Sequence, residues 1–313
     1  MRVLCFGAMN MDKLAHCHRP FQQAVSNPVT SRFTAGGVGF NIARTMKKLG
    51  IDSHMVSCVG DDPDGRYLLD LAKKWQMSRE LIEISKTRLT ATYTAVLDTN
   101  GELAVGLSEM DIYERLTVER LEPQLSKFQE FDYWIIEANI PQATIDWLVE
   151  HKGDSQIFAA PVSVIKSERW MNAIIHVDFW ISNRVEAEMV SGIKVKDLES
   201  AHDAATLIAA RGPKQVVITL GAEGVYTLGA HGEGYWTIPQ TRVYDVNGAG
   251  DSFFAALCAS HISGESFKDS IDVGLAVASL TTEYDGPVCE ELTSEMVKQR
   301  LQEIPQPRFF NEE

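Results

Sequence analysis

Short apolar runs alternate along the chain with segments whose apolar residues recur every three or four positions. Val3–Phe6 is an apolar run ending at Gly7, which predicts a buried strand. Val38, Ile42, Met46 and Leu49 share one face of a helix that Gly50 stops. Ser53–Val59 predicts a second strand and Asp64–Trp75 a second helix. The rhythm resumes further on, with strands over Tyr133–Ile136, Gln156–Ala160, Asp178–Ile181 and Gln215–Leu220. Helices are predicted over Gln142–Glu150, Arg184–Val190, Ala201–Arg211, Gly248–Ile262, Phe267–Tyr284 and Ser294–Glu303. Apolar strands separated by helices predict an α/β fold, a doubly wound and mostly parallel sheet covered on both faces.

Two segments break the rhythm. Residues 13–34 have no helical period and contain Pro20 and Pro28. Residues 80–108 read as short strands, Leu81–Ile84, Thr92–Leu97 and Leu103–Leu107, with a hairpin signal at Asp98–Gly101. They predict a small β unit in which the two segments pair. The remaining stretches, 1–12, 35–79 and 109–313, form the α/β body. The C-terminal stretch Pro305–Glu313 carries no recognisable role.

Charge narrows the partners. The chain has 29 basic and 43 acidic residues, a net charge of −14 at pH 7. That field repels polyanions, so nucleic acid is not an expected partner. Any anionic substrate would need a site built from local donors. Five cysteines, widely spaced and without a C-x-x-C pair, predict neither a zinc ribbon nor a disulfide framework. Reduced thiols and a cytoplasmic location are the expectation. The N-terminal apolar run is too short for a signal peptide, and no run approaches the ~18 residues of a membrane span.

The most chemical stretch is Asp245-Val246-Asn247-Gly248-Ala249-Gly250-Asp251, which opens the apolar helix beginning Ser252-Phe253-Phe254. Small residues let a ligand approach the backbone. Free N–H groups of a first helical turn attract anions, aided by the helix dipole. Gly248, Ala249 and Gly250 thus make a candidate hole for a phosphoryl group. Asp251 beside it is a candidate general base. The competing reading is an aspartate that merely caps a helix. There is no P-loop, and Gly37–Ile42 fails the dinucleotide fingerprint at its last position. His16-Cys17-His18 lacks a third metal ligand, and no G-x-S-x-G elbow occurs.

These features together resemble the ribokinase-like (PfkB) family of sugar and nucleoside kinases. The family's D-T-x-G-A-G-D appears here with Val246 in place of Thr. Its glycine pair and N-x-A correspond to Gly36-Gly37 and Asn41-Ile42-Ala43. The opening Gly7–Asp12, the N-x-x-E of Asn183–Glu186 and the turn Thr219–Gly224 follow the family order, so the likeness spans nearly the whole chain. Within the family the chain is similar to pseudouridine kinases, through Ser26-Asn27-Pro28, Thr92-Tyr93-Thr94 and Pro161-Val162-Ser163. Those kinases commonly carry D-C-N and D-P-V-S where this chain has Glu137-Ala138-Asn139 and Ala160-Pro161-Val162-Ser163.

The resemblance implies an ATP-dependent kinase with a β lid made of 13–34 and 80–108. It implies that Asn10, Asp12, Gly36, Gly37, Asn41, Thr94, Asn139 and Lys166 hold the nucleoside or sugar. Asn183, Thr219, Gly221 and Gly224 would shape the ATP side. Glu186 would organise magnesium through water, and Asp245 and Asn247 would sit by a monovalent cation such as potassium. The implied acceptor is the 5′-hydroxyl of pseudouridine. Alternatives are a free sugar of the ribose or fructose type, another nucleoside, or a non-catalytic nucleoside-binding regulator. A homodimer through the lid edge is a further expectation.

Overall fold

The structure, a computed structural model, describes residues 1–310. In chain order the first seven strands are β1 (Arg2–Phe6), β2 (Asn10–Cys17), β3 (Val29–Gly36), β4 (Asp52–Gly60), β5 (Ile82–Ser85), β6 (Thr92–Leu97) and β7 (Leu103–Glu109). The others are β8 (Tyr133–Glu137), β9 (Gln156–Ala160), β10 (Phe179–Asn183), β11 (Gln215–Thr219), β12 (Val225–Gly229), β13 (Gly234–Trp236) and β14 (Arg308–Phe309). The longer helices are α1 (Val38–Lys48), α2 (Pro63–Lys74), α3 (Gln142–Glu150), α4 (Arg184–Ser191), α5 (Leu198–Ala209), α6 (Ala249–Ile262), α7 (Phe267–Thr282) and α8 (Ser294–Leu301).

Ten strands form one sheet in the order β14-β13-β12-β11-β10-β9-β8-β1-β4-β5. From β11 to β5 every pairing is parallel. The strand period of two divides the apolar residues of β1 between two cores. Leu4 and Phe6 pack with Trp134, Phe128 and the apolar faces of α3 and α5. Val3 and Cys5 pack with Phe40 and Met46 of α1 and Leu257 of α6. Strands buried on both faces read as continuous apolar runs for this reason. Trp134, Trp170, Trp180 and Trp236 lie inside these cores, at most 1% exposed.

A second, four-stranded sheet has the order β3-β2-β6-β7. Its β6–β7 hairpin closes at the expected turn, where Gly101 adopts φ +82° and its N–H donates to the Asp98 carbonyl at 2.9 Å.

The structure differs from the sequence reading in two places. Residues 82–85 were expected in the small unit, but β5 pairs in parallel with β4 and extends the large sheet. A four-residue apolar run carries no information about which edge it joins. The other edge is an antiparallel addition, β12 to β14, which the alternation of strands and helices did not predict. The C-terminal stretch supplies β14, pairing Phe309 with Gly234. Among the described residues no helix is long and apolar enough to cross a membrane.

The parallel strands end together, so Glu137, Ala160, Asn183 and Thr219 finish along one border of the sheet. Ligands of open α/β sheets bind beyond these carboxyl ends. The small sheet emerges from the same border, because β2 follows β1 after only three residues.

Candidate active site

A cleft of about 160 Å³ opens at that border. Asn183, Glu186, Thr219, Gly250 and Asp251 line it, with Ala160, Val162 and Phe254 as apolar walls. Asp251 stands in the first turn of α6, and Gly248 caps that helix in a left-handed conformation, φ +73°. The Gly248 Cα is so close to the Pro287 carbonyl that a Cβ would lie 2.0 Å from its oxygen. The N–H groups of Gly248, Gly250 and Asp251 have no partner among the described residues. Ala249 instead donates to the Val246 carbonyl at 3.3 Å. Two of the three expected amides, Gly248 and Gly250, are therefore free, and Asp251 supplies the third in place of Ala249. A Cβ on Gly250 would meet nothing within 4 Å, so this face of the turn is open.

Asn41 on α1 donates its Nδ2 to Asp251 Oδ2 at 2.9 Å. Its Oδ1 is buried without a partner. An unpaired buried acceptor is costly, and a ligand hydroxyl would satisfy it. Burial lifts the Asp251 carboxyl to about 7, and the negative charges of Asp12 and Glu186 add to the rise. The Asn41 bond works the other way. A carboxyl near neutrality is matched to taking and returning a proton.

The small sheet contributes Asn10 and Asp12 from β2. Asn10 donates to Asp12 Oδ1 at 2.6 Å, and burial raises Asp12 to about 6 despite that bond. Both side chains lie on the glycine pair. A Cβ on Gly36 would be 2.0 Å from Asp12 Oδ2, and one on Gly37 would be 2.7 Å from Asn10 Oδ1. Sheet register also separates two neighbours. Tyr93 pairs with Asp12 while Thr94 pairs with Lys13 and Leu107. Successive side chains point to opposite faces. Tyr93, not Thr94, therefore shares the face of Asn10 and Asp12.

Beside this lies a buried polar chain. Glu137, fully buried at the end of β8, accepts from the Ala8 N–H at 2.7 Å and from the Asn139 amide. Lys166 donates to Asn139 Oδ1. Burial raises Glu137 to about 7 and lowers Lys166. Sequence reasoning named Asn139 and Lys166 but left Glu137 as a departure from its relatives. The signal was a carboxylate at the end of an apolar strand, where an unpaired charge is too costly to keep.

On the ATP side, Asn183 and Glu186 form a reciprocal capping box on α4, with both bonds at 3.0 Å. Glu186 is 5% exposed, and burial raises its carboxyl. Thr219 closes β11, and Gly221 and Gly224 bracket the tight turn that follows. Asp245 and Asn247, expected beside a monovalent cation, are tied to each other and to the small sheet. The Asp245 Oδ1 accepts from the Asn247 N–H at 2.9 Å, and Oδ2 accepts from Arg32 at 2.9 Å. Nothing near Arg32 in the sequence signals this contact, which spans 213 positions. Among the described residues no group of three or more His, Cys, Asp or Glu could hold a metal ion.

The parallel sheet, its small companion and a glycine-opened helix facing a carboxylate define a kinase of the ribokinase fold. The pattern of the pfkB family carbohydrate kinases matches residues 1–291, and the chain belongs to that family. It is an ATP-dependent kinase of the group that acts on nucleosides and sugars. It is 30% identical to the pseudouridine kinase of Escherichia coli over 90% of this chain and 91% of that one. The ribokinase of Arabidopsis thaliana, solved with ribose and ATP, superposes with a TM-score of 0.83 at 19% identity, covering 96% and 98% of the two chains. A Burkholderia thailandensis nucleoside kinase solved with inosine gives 0.78 at 19% identity, covering 96% of each chain.

Proposed function

We propose that this kinase transfers the γ-phosphoryl group of ATP to the 5′-hydroxyl of a ribonucleoside, with pseudouridine as its substrate. The observation that carries the chemistry is the Asn41–Asp251 pair. It sets an unpartnered acceptor and a carboxyl near neutrality beside three free backbone amides. Asp251 takes the proton of the attacking hydroxyl. The amides of Gly248, Gly250 and Asp251 stabilise the charge on the group in transfer. Asn10, Asp12 and Asn41 hold ribose hydroxyls. Lys166, held by Asn139, and Tyr93 face the base.

Magnesium suits the cleft, where the mutual repulsion of Asp251, Asp12 and Glu186 calls for a cation. Glu186 would hold it through water, consistent with the few carboxylates magnesium takes. When bound it neutralises phosphate charge. The small sheet acts as a lid that excludes water during transfer. The reading of the base rests on the likeness to pseudouridine kinase and on the polar chain ending at Lys166.

A panel of nucleosides and free sugars with ATP and magnesium, read by ADP release, tests the substrate. Activity on ribose or fructose without activity on pseudouridine overturns it. Asp251→Asn should keep nucleoside binding and lose about 10³-fold in turnover, within the range for general bases. A near wild-type rate removes Asp251 from the role.

A further inference from the structure

Two loops build the mouth of the glycine turn. One is 244–248, which leads into α6. The other is 285–287, whose Pro287 carbonyl supports Gly248. Each carries a carboxylate, Asp245 and Asp285. Both meet a single guanidinium from the small sheet. Arg32 on β3 pairs with Asp245 at 2.9 Å and also with Asp285. The 244–245 backbone is tied to α7 as well, through two N–H bonds to the Thr282 carbonyl.

We propose that Arg32 is a built-in cation that takes the place of a free monovalent ion at the phosphate-binding turn. The argument rests on the kinase reading of the cleft and not on which nucleoside it takes. Asp245 is largely buried, its side chain 13% exposed, and both its oxygens are engaged. A free cation arriving there would meet a fixed positive charge and find no open carboxylate oxygen on Asp245. A guanidinium stays charged at any working pH and can serve two carboxylates at once. Because Arg32 sits on the small sheet, the two loops are neutralised and held together only while that sheet lies against the body. Arg32 is thus a positioning residue. It sets the loops that present the Gly248 and Gly250 amides and does not itself touch the reacting atoms.

The test compares wild type, Arg32→Lys and Arg32→Met in choline chloride and in potassium chloride at equal ionic strength. The first readout is Tm, which needs no substrate. Wild type should melt alike in the two salts. Arg32→Met should melt ~2 °C or more higher in potassium, since an ion bound only to the folded state stabilises it. The second readout is turnover. Arg32→Met should lose about tenfold or more in choline and recover most of it in potassium, with Arg32→Lys falling between Arg32→Met and wild type in choline, because an ammonium keeps the charge but lacks the two-armed fork. A wild-type Tm or turnover that rises with potassium overturns the proposal. So does an Arg32→Met enzyme whose Tm and turnover ignore potassium. A wrong substrate assignment would silence the turnover readout for every variant and leave the Tm comparison intact.

Discussion

Two glycine clusters open α1 and α6, the helices joined by the Asn41–Asp251 bond, and their glycines are small for different reasons. At Gly36 the missing side chain makes room for Asp12, and at Gly37 for the Ala8 carbonyl as well as Asn10. The turn at Gly248–Gly250 divides the work. Gly248 makes room for the Pro287 backbone, whereas Gly250 opens on unfilled space. Under the proposed function the first cluster recognises through side chains locked in place, as suits a substrate whose hydroxyls must be told apart. The second presents backbone amides to an anion, which needs charge and access more than pattern. Glycine in a motif is therefore not one signal. The distance from its absent Cβ to the nearest atom tells a packing glycine from a ligand-facing one.

The largest expected effect breaks the first cluster. Gly36→Ala would drive its methyl into Asp12 and displace the carboxylate by about an ångström. A shift of that size can cost about 100-fold. The loss should fall on kcat/KM for the hydroxyl substrate, with a lower Tm and an unchanged KM for ATP. A normal kcat/KM would mean that Asp12 does not hold substrate.

The second cluster should respond in the opposite sense. Gly250→Ala puts a methyl into open space on a helix, where alanine outperforms glycine by about 1 kcal/mol. Tm should rise slightly while kcat falls about tenfold or more, read by thermal unfolding and steady-state kinetics on the same sample. Unchanged kcat would show that the turn does not receive the phosphoryl group.

The smallest effect concerns protonation. A base must be ionised to act, so kcat/KM should climb with pH and level off above about 7, the value for Asp251. Asn41→Leu removes a bond that holds that value down, so the limb should move to higher pH. Stability runs the other way. Asp12, Glu137 and Asp251 all bind protons more tightly folded than unfolded. Their contribution is full below about pH 4 and declines as pH rises through about 7. An activity limb that stays in place in Asn41→Leu would uncouple Asn41 from the base.

Much of the body was legible because its signals are local. Helix α1 showed its apolar stripe and its Gly50 stop, and β1, β8, β9 and β11 showed as unbroken apolar runs. The turn before α6 was legible as chemistry, since small residues beside free first-turn amides and a carboxylate make a site for an anion. Strand β5 was misplaced because pairing is a long-range choice. That Tyr93 and not Thr94 shares the face of Asp12 was not legible, because a strand's facing depends on register and one residue reverses it. The antiparallel edge through β14 depends on residues far apart in the chain, Gly234 with Phe309 and Tyr235 with Arg308.

The chain's order of apolar runs and periodic segments determined the α/β class, and its motifs determined the family and the phosphoryl-transfer chemistry. Both follow from properties carried by neighbouring residues, namely periodicity, turn geometry and helix capping. Only the tertiary structure decided which groups complete the site. It brought Glu137 to the Ala8 N–H, Lys166 to Asn139, Asn41 to Asp251 and Arg32 to Asp245 and Asp285. Such pairings form where a buried charge or amide must find a partner, and the partner is chosen by position in space. The net charge of −14 had required local donors for any anion. The fold supplied them as three free amides at one helix end, with one arginine from a separate sheet holding the loops beside them.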